Sequence, residues 1–356
     1  PEPSRYAGPA DALSPPPVRP AQECQQAIGA ASLAAIRGAD VDATGSILSG
    51  TMTYLSSRAV HDNLADLRAA AAANRGGADS LESLAAECGD DVIPSMFERI
   101  KARGEDAIRG VLRTMEPGVR EAEERLDDGS VIRVRLGIND GHMGVSFAGT
   151  SKVHPGNLNA TPAIVRSAIV YVLRLLVRDE IPLNEGLMRA CSVELPRCML
   201  NPDFAGDDSN PEKLPAVAAG NVETSQRLVD TLLKALGVCA CSQGTMNNVI
   251  FGSAALGLSY YETVCGGAGA GPGYDGASGV HTHMTNTRIT DPEILETRYP
   301  VRLERFALRP GSGGAGLHRG GDGVVREMTF LDEMSLAVVT QHRTSGAYGV
   351  GGGEMG

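Results

Sequence analysis

The chain has 356 residues, 42% hydrophobic and 21% charged, with a formal net charge of −11. That length suits one large domain or two smaller ones with a real core, and the scarcity of aromatics (4%, no Trp) makes the core aliphatic. The acidic balance argues against a nucleic-acid or membrane-surface binder, which needs a basic field, but leaves room for small anions held by a local Arg or Lys.

The first twenty residues hold seven of the twenty prolines, and residues 21–60 are small and polar with weak periodicity. Residues 1–60 therefore read as linker-like or irregular, without the apolar stretch of a leader. A helix is expected from about His61, with Asp62 or Asn63 as its N-cap. In a second helix, Ile93, Met96, Phe97, Ile100, Ala107, Ile108, Val111 and Leu112 recur at helical spacing, and Pro117-Gly118 ends it. Residues 126–130 form a turn, 131–136 alternate as a strand, and 144–148 supply its hairpin partner. Thr161-Pro162 opens an apolar helix to about Val177. Interrupted by Arg174, this segment falls short of the ~20 residues that span a bilayer. Asn221 is placed to cap a helix carrying Leu228, Val229, Leu232, Leu233 and Leu236, closed by Gly237. Beyond Cys239 glycine dominates and strands should be short, the clearest at 301–308 and 336–340. The fold class is α+β, with helices mainly in 61–236 and short, Gly-punctuated, mixed or antiparallel strands after them.

Chemistry concentrates in the C-terminal half. The run Gly266-Gly267-Ala-Gly-Ala-Gly-Pro-Gly273 lacks the Gly-Lys-Ser/Thr ending of a phosphate loop and the strand–loop–helix setting of a dinucleotide fingerprint. It reads either as a closely packed loop or as backbone N–H groups lining a small site. His281 and His283, two apart on a strand, would face one side as metal ligands or as a base and its orienting group; a solvated loop is the alternative. Asn286, Arg288 and Asp291 follow. Asn221, Glu223, Ser225 and Gln226 open a helix whose free N–H groups favour an anion, although ordinary capping also accounts for them. Gln243, Asn247 and Asn248 offer carboxamides to a polar ligand or simply punctuate a turn. Cys239 and Cys241 read as structural thiols. The seven cysteines, an odd number without framework spacing, point to a reducing, cytoplasmic compartment.

These same segments resemble the hydantoinase B/5-oxoprolinase family. The resemblance rests on residues 219–226 (AGNVETSQ), 242–248 (SQGTMNN), 260–263 (YYET) with the glycines after them, 280–293 (VHTHMTNTRITDPE) and the glycine turns of 309–324. It runs from about His61 to the last residue and is nearest to ATP-dependent 5-oxoprolinase around 285–300. It implies ring opening of 5-oxo-L-proline to glutamate, with ATP bound by a hydantoinase A-type partner region rather than by this chain. The implied domain is a partial hydantoinase B region over 61–356, with a cyclic amide as ligand, no nucleic-acid or membrane partner, and room for a homo-oligomer. Carried onto this chain, it offers Glu262, His281 and His283 as catalytic groups. The substrate binders would be Asn221, Glu223, Ser225, Gln226, Gln243, Asn247, Asn248, Gly266, Gly267, Asn286, Arg288 and Asp291, with Arg288 on the substrate carboxylate. Related carboxylases hold a divalent metal through a His-x-x-Asp pair and a further His. No such pair occurs here, so no metal ligand is assigned, although the complete enzyme could carry the ion. A non-catalytic remnant, or an N-methylhydantoinase- or ketone carboxylase-type subunit, are the competing readings. The family is also expected to continue past Gly356 with another Gly-rich segment.

Overall fold

A computed structural model describes residues 60–204 and 214–356; the linker expected over 1–60 lies outside the described residues, apart from Val60. Two units separate at Pro94/Ser95. The described part of the first is helix α1, Val60–Cys88, whose alanine-rich surface is largely exposed, and the start of α2.

Helix α2 runs Val92–Thr114 and buries Gly104, Ile108 and Leu112. The apolar face read from the sequence is therefore only half used, since Met96 and Phe97 remain exposed. A four-stranded sheet follows in the order β1-β2-β3-β4, with strands Gly118–Arg125, Val131–Asn139, His142–Ser146 and Cys191–Glu194. Strand β2 alternates as its sequence requires, burying Ile132, Val134, Leu136 and Ile138. Asp140-Gly141 closes the β2–β3 hairpin with both residues at positive φ (43° and 72°), the geometry of a two-residue turn. That turn starts β3 at His142, two residues earlier than the apolar pattern indicates. Strand β1 shows no apolar alternation, because five of its eight residues are charged. It is set by cross-strand pairs instead, Glu123 opposite Arg133 and Glu121 opposite Arg135.

Helix α3, Pro162–Leu176, starts on a Thr161 side-chain cap with Pro at its first turn. Helix α4, Ser225–Leu236, packs on α3, β1 and β2 and ends at Gly237 with φ 69°. Leu228, Val229, Leu232 and Leu233 join the main aliphatic core. Beyond it lie the antiparallel sheet β6-β5-β9 (Leu258–Thr263, Asn248–Ser253, Ser335–Val339) and the hairpin of β7, Val301–Leu308, with β8, Val324–Phe330. Helix α5, Pro292–Arg298, is capped by Asp291. A smaller core of Phe251, Tyr260, Leu295 and Val301 serves these elements. The architecture is α+β, as expected. Among the described residues, no helix is long and apolar enough to cross a membrane.

Candidate functional site

Helix α4 and the turn that leads into it carry a buried polar row. Glu223, Gln226, Arg227 and Asp230 follow one another at helical spacing, and each is 0% exposed. A π-helical turn, Gly220–Thr224, leads into the helix. Asn221 does not cap it: Asn221 is exposed, and its carbonyl accepts from Ser225 Oγ at 2.5 Å. Nor is the helix start free for an anion. The N–H groups of Glu223 and Thr224 both donate to Ala219 O, and Gly220 lies so close to Asn159 O that a Cβ there would overlap it. Gln226 is a clamp. Its Nε2 donates to Thr282 O and Thr285 Oγ1, and its Oε1 accepts from Met284 N.

Asp230 accepts from Ser242 N and Oγ at 3.1 and 3.0 Å and pairs with His283 Nε2 at 2.9 Å. Burial alone would raise its pKa, but the adjacent imidazole and the Ser242 donors outweigh that and hold it below the usual carboxylate value. His283 sits at φ 54° with Nδ1 3.4 Å from Tyr171 Oη. His281 instead contacts Thr287 Oγ1 at 3.4 Å, and its Nδ1 is buried without a partner. The two histidines therefore do not share a face: residues 281 and 282 are irregular and 283–284 lie in a turn, not a strand. Burial lowers the His281 pKa against the opposing charge of Glu262.

Glu262 accepts from Thr290 N at 2.8 Å, and its second oxygen lies 2.9 Å from Arg326 Nη2 in a buried ion pair. That pair is poorly aligned, and Arg326 Nε, Nη1 and Nη2 all lack hydrogen-bond partners. Asn248 donates to Tyr261 Oη at 2.6 Å. Asn247, at φ 54°, accepts from Thr340 Oγ1 and Arg343 Nη2.

Glu223 is the other anomaly. Burial pushes its carboxyl up to about 7, and neither oxygen has a well-formed hydrogen bond, although the Thr245 hydroxyl and Met246 N–H favour the ionised form. A raised pKa means that the folded state holds the proton more tightly. The associated stability is complete below the ordinary value of 4.5 and is lost as pH rises through about 7. Glu223→Gln should leave the unfolding temperature unchanged near pH 4 and add about 1–3 kcal/mol at pH 8. An equal effect at both pH values would contradict this account.

The polar segments meet through the backbone. Val264 N donates to Asn247 O, Gln243 N to Gly267 O, and Gly266 bridges Val280 in both directions. Beside this junction opens a cavity of about 740 Å³, lined by Gln243, Asn247, Gly266 and Gly267 together with the glycine turns of 309–323 and 346–356. Gly266–Gly271 is a closely packed wall: a Cβ at Gly266, Gly267, Gly269 or Gly271 would overlap a neighbouring atom. Asn221, Glu223, Ser225, Gln226, Asn248, Glu262, His281, His283, Asn286, Arg288 and Asp291 do not line it. Asn286 and Arg288 are exposed, and Asp291 is spent on capping α5.

Sequence reasoning missed Arg227, Asp230, Arg326 and His342. The first two carried a signal, since charged residues interrupt an otherwise leucine-rich helix at the spacing of Glu223. Arg227 reaches His342 Nε2 and Glu124, and His342 lies 3.7 Å from Cys241 Sγ. Burial, then the nearby Asp230 and Glu124 carboxylates, holds the Cys241 thiol well above its ordinary pKa, so it is no nucleophile. Six cysteines among the described residues are free thiols. Among the described residues no three His, Cys, Asp or Glu side chains cluster to hold a metal.

The sequence matches the Hydantoinase B/oxoprolinase family model over residues 37–356. It is 42% identical over 315 residues to 5-oxoprolinase 1 of Arabidopsis thaliana, covering 84% of this chain and 24% of that protein. To 5-oxoprolinase of Dictyostelium discoideum it is 43% identical over 312 residues, covering 85% and 24%. The chain thus spans about a quarter of the length of these relatives. Among solved structures, the ATP-dependent caprolactamase from Pseudomonas jessenii superposes with a TM-score of 0.67 at 25% identity, over 80% of this chain and 51% of that one. Nucleotide-free acetone carboxylase gives 0.62 at 18% identity, over 74% and 38%, a likeness of fold alone. With the family's model covering most of its length and the converging segments those of the sequence resemblance, the chain belongs to the hydantoinase B/oxoprolinase family.

Proposed function

We propose that this chain is the hydantoinase B-type region of an ATP-dependent cyclic amide hydrolase of the 5-oxoprolinase type. The observation that carries this reading is identity above 40% to two proteins named 5-oxoprolinase over five-sixths of the chain. The cavity volume of about 740 Å³ falls within the range of small-molecule sites.

A lactam is a poor electrophile because its C–N bond has amide resonance, which agrees with the ATP dependence in the caprolactamase's name. The Gly266–Gly273 run is not followed by a helix and has no adjoining Lys, so no nucleotide site is assigned to the described residues. ATP belongs with a hydantoinase A-type partner region. The work left to this chain is to hold the ring, exclude bulk water behind glycine walls, and supply a proton carrier. Neither His281 nor His283 nor Glu262 lines the cavity, so that carrier is not assigned to any of the three.

The purified chain mixed with a hydantoinase A-type partner should release glutamate from 5-oxo-L-proline only when ATP is present. Absence of ATP-dependent release with a competent partner would refute the reading and favour the remnant. The caprolactamase likeness favours a second reading, an uncharged lactam as substrate, which substrate profiling in the same assay separates.

A further inference from the structure

The glycine-walled cavity is not electrically neutral. Its charged lining residues are Arg309, Arg326 and Arg343 against a single carboxylate, Glu354, in a chain whose net charge is −11. Arg343 is held in place: its Nε and Nη2 donate to Thr340 Oγ1 at 3.1 and 2.7 Å, and Nη2 reaches Asn247 Oδ1 at 3.2 Å. Both acceptors are neutral, and among the described residues no ion pair engages this guanidinium. Arg326 adds a second sign of an expected ligand. Its side chain is 3% exposed, it lines the same cavity, and none of its three guanidinium nitrogens has a hydrogen-bond acceptor. Glu262, 2.9 Å from Nη2, answers its charge, but the donors themselves are left open, which is costly unless something meets them. The floor is apolar, with Val249, Val264, Met328 and Val338.

We propose that this cavity binds a compact ring bearing one carboxylate, with the ring over the valine and methionine floor and the carboxylate on Arg343, seconded by Arg326. It rests on the cyclic-amide reading for the ring and on geometry for the anion. The cavity is larger than a five-membered ring fills, so charge and not fit must do the selecting. With Nε and Nη2 spent on Thr340 Oγ1 and Asn247 Oδ1, the guanidinium keeps its Nη1 donors and its charge for a carboxylate, a charge-assisted contact. This reassigns the role that the sequence gave to Arg288, which does not line the cavity.

Calorimetric titration of the purified chain tests the assignment with three probes: 5-oxo-L-proline, the uncharged 2-pyrrolidinone and inorganic phosphate. 5-Oxo-L-proline should bind at least roughly tenfold more tightly than 2-pyrrolidinone, as expected for a charge-assisted contact. Arg343→Gln should erase that preference without shifting the unfolding temperature, because its side chain is exposed and leaves no buried partner behind. Arg326→Lys, which keeps a cation opposite Glu262 but loses the fork, should weaken only the carboxylate ligand. Equal binding of the two lactams, no binding of either, a preference that survives in Arg343→Gln, or saturation by phosphate alone would each overturn the proposal. The two readings fail separately. An Arg343-dependent preference without hydrolysis in the partner assay keeps the anion site and removes the proposed reaction, whereas hydrolysis with KM unchanged in Arg343→Gln does the reverse.

Discussion

Asp230→Ala is expected to destabilise the protein by about 3–5 kcal/mol, the usual cost of removing one member of a buried charge pair. The carboxylate accepts from Ser242 N and Oγ and pairs with His283. Its loss leaves these groups facing an apolar gap, where unmet donors are penalised in full. Denaturant midpoints of wild type and variant would measure the effect, and a loss below about 1 kcal/mol would sink the account. The pH dependence has a definite sign. Because the folded-state pKa lies below the ordinary value of 3.8, the contribution is present above pH ~3.8 and disappears as pH falls through the lower folded value. Asp230→Asn should flatten that acid limb while retaining an acceptor for Ser242.

The second large effect is expected at Gly267. A Cβ there would overlap Gly321 O, in a place where Gly321 N donates to Ala268 O at 2.9 Å. The obstacle is backbone on both sides, so no side chain can swing aside. Gly267→Ala should cost about 3 kcal/mol, the upper end for overpacking, and should weaken ligand binding in the cavity by moving its wall. Gly110 in α2 is the control: nothing lies within 4 Å of its added Cβ, and Gly110→Ala should stabilise by about 0.5–1 kcal/mol. Thermal unfolding of the two variants side by side checks both signs, and a neutral Gly267→Ala would contradict the packing described.

The legible parts of the fold were those where one periodic signal decides the outcome. Strand β2, helix α3 and the Gly237 terminus of α4 follow from alternation, a Pro-bearing first turn and a left-handed cap. Strand β1 was illegible because its pairing depends on charges contributed by β2, which no single segment reveals. The helix opening at 220–224 misled for a related reason. Asn221 has the chemistry of a cap, but Gly220 is driven against Asn159 O, and the turn widens before the helix begins. For the candidate site, the structure joins the segments through backbone bonds but parts their side chains. Gln243, Asn247, Gly266 and Gly267 line the cavity, whereas Gln226, Asp291 and His283 are occupied by the packing of the segments themselves. Arg326 and Arg343 were invisible because only strand pairing and the return of the C-terminal segment bring them to the cavity wall.

That return has a kinetic consequence. Asp127, in the β1–β2 turn, accepts from Arg343 N and from Thr344 Oγ1, and its own N–H donates to Gln341 Oε1, contacts separated by 216, 217 and 214 residues. Closing a loop of that length is entropically expensive, and contacts of high sequence separation form slowly. Arg343 is therefore expected to take its place late in folding, after the hairpin that anchors it. Anything that loosens the Asp127 latch delays maturation of the pocket more than it harms the aliphatic core.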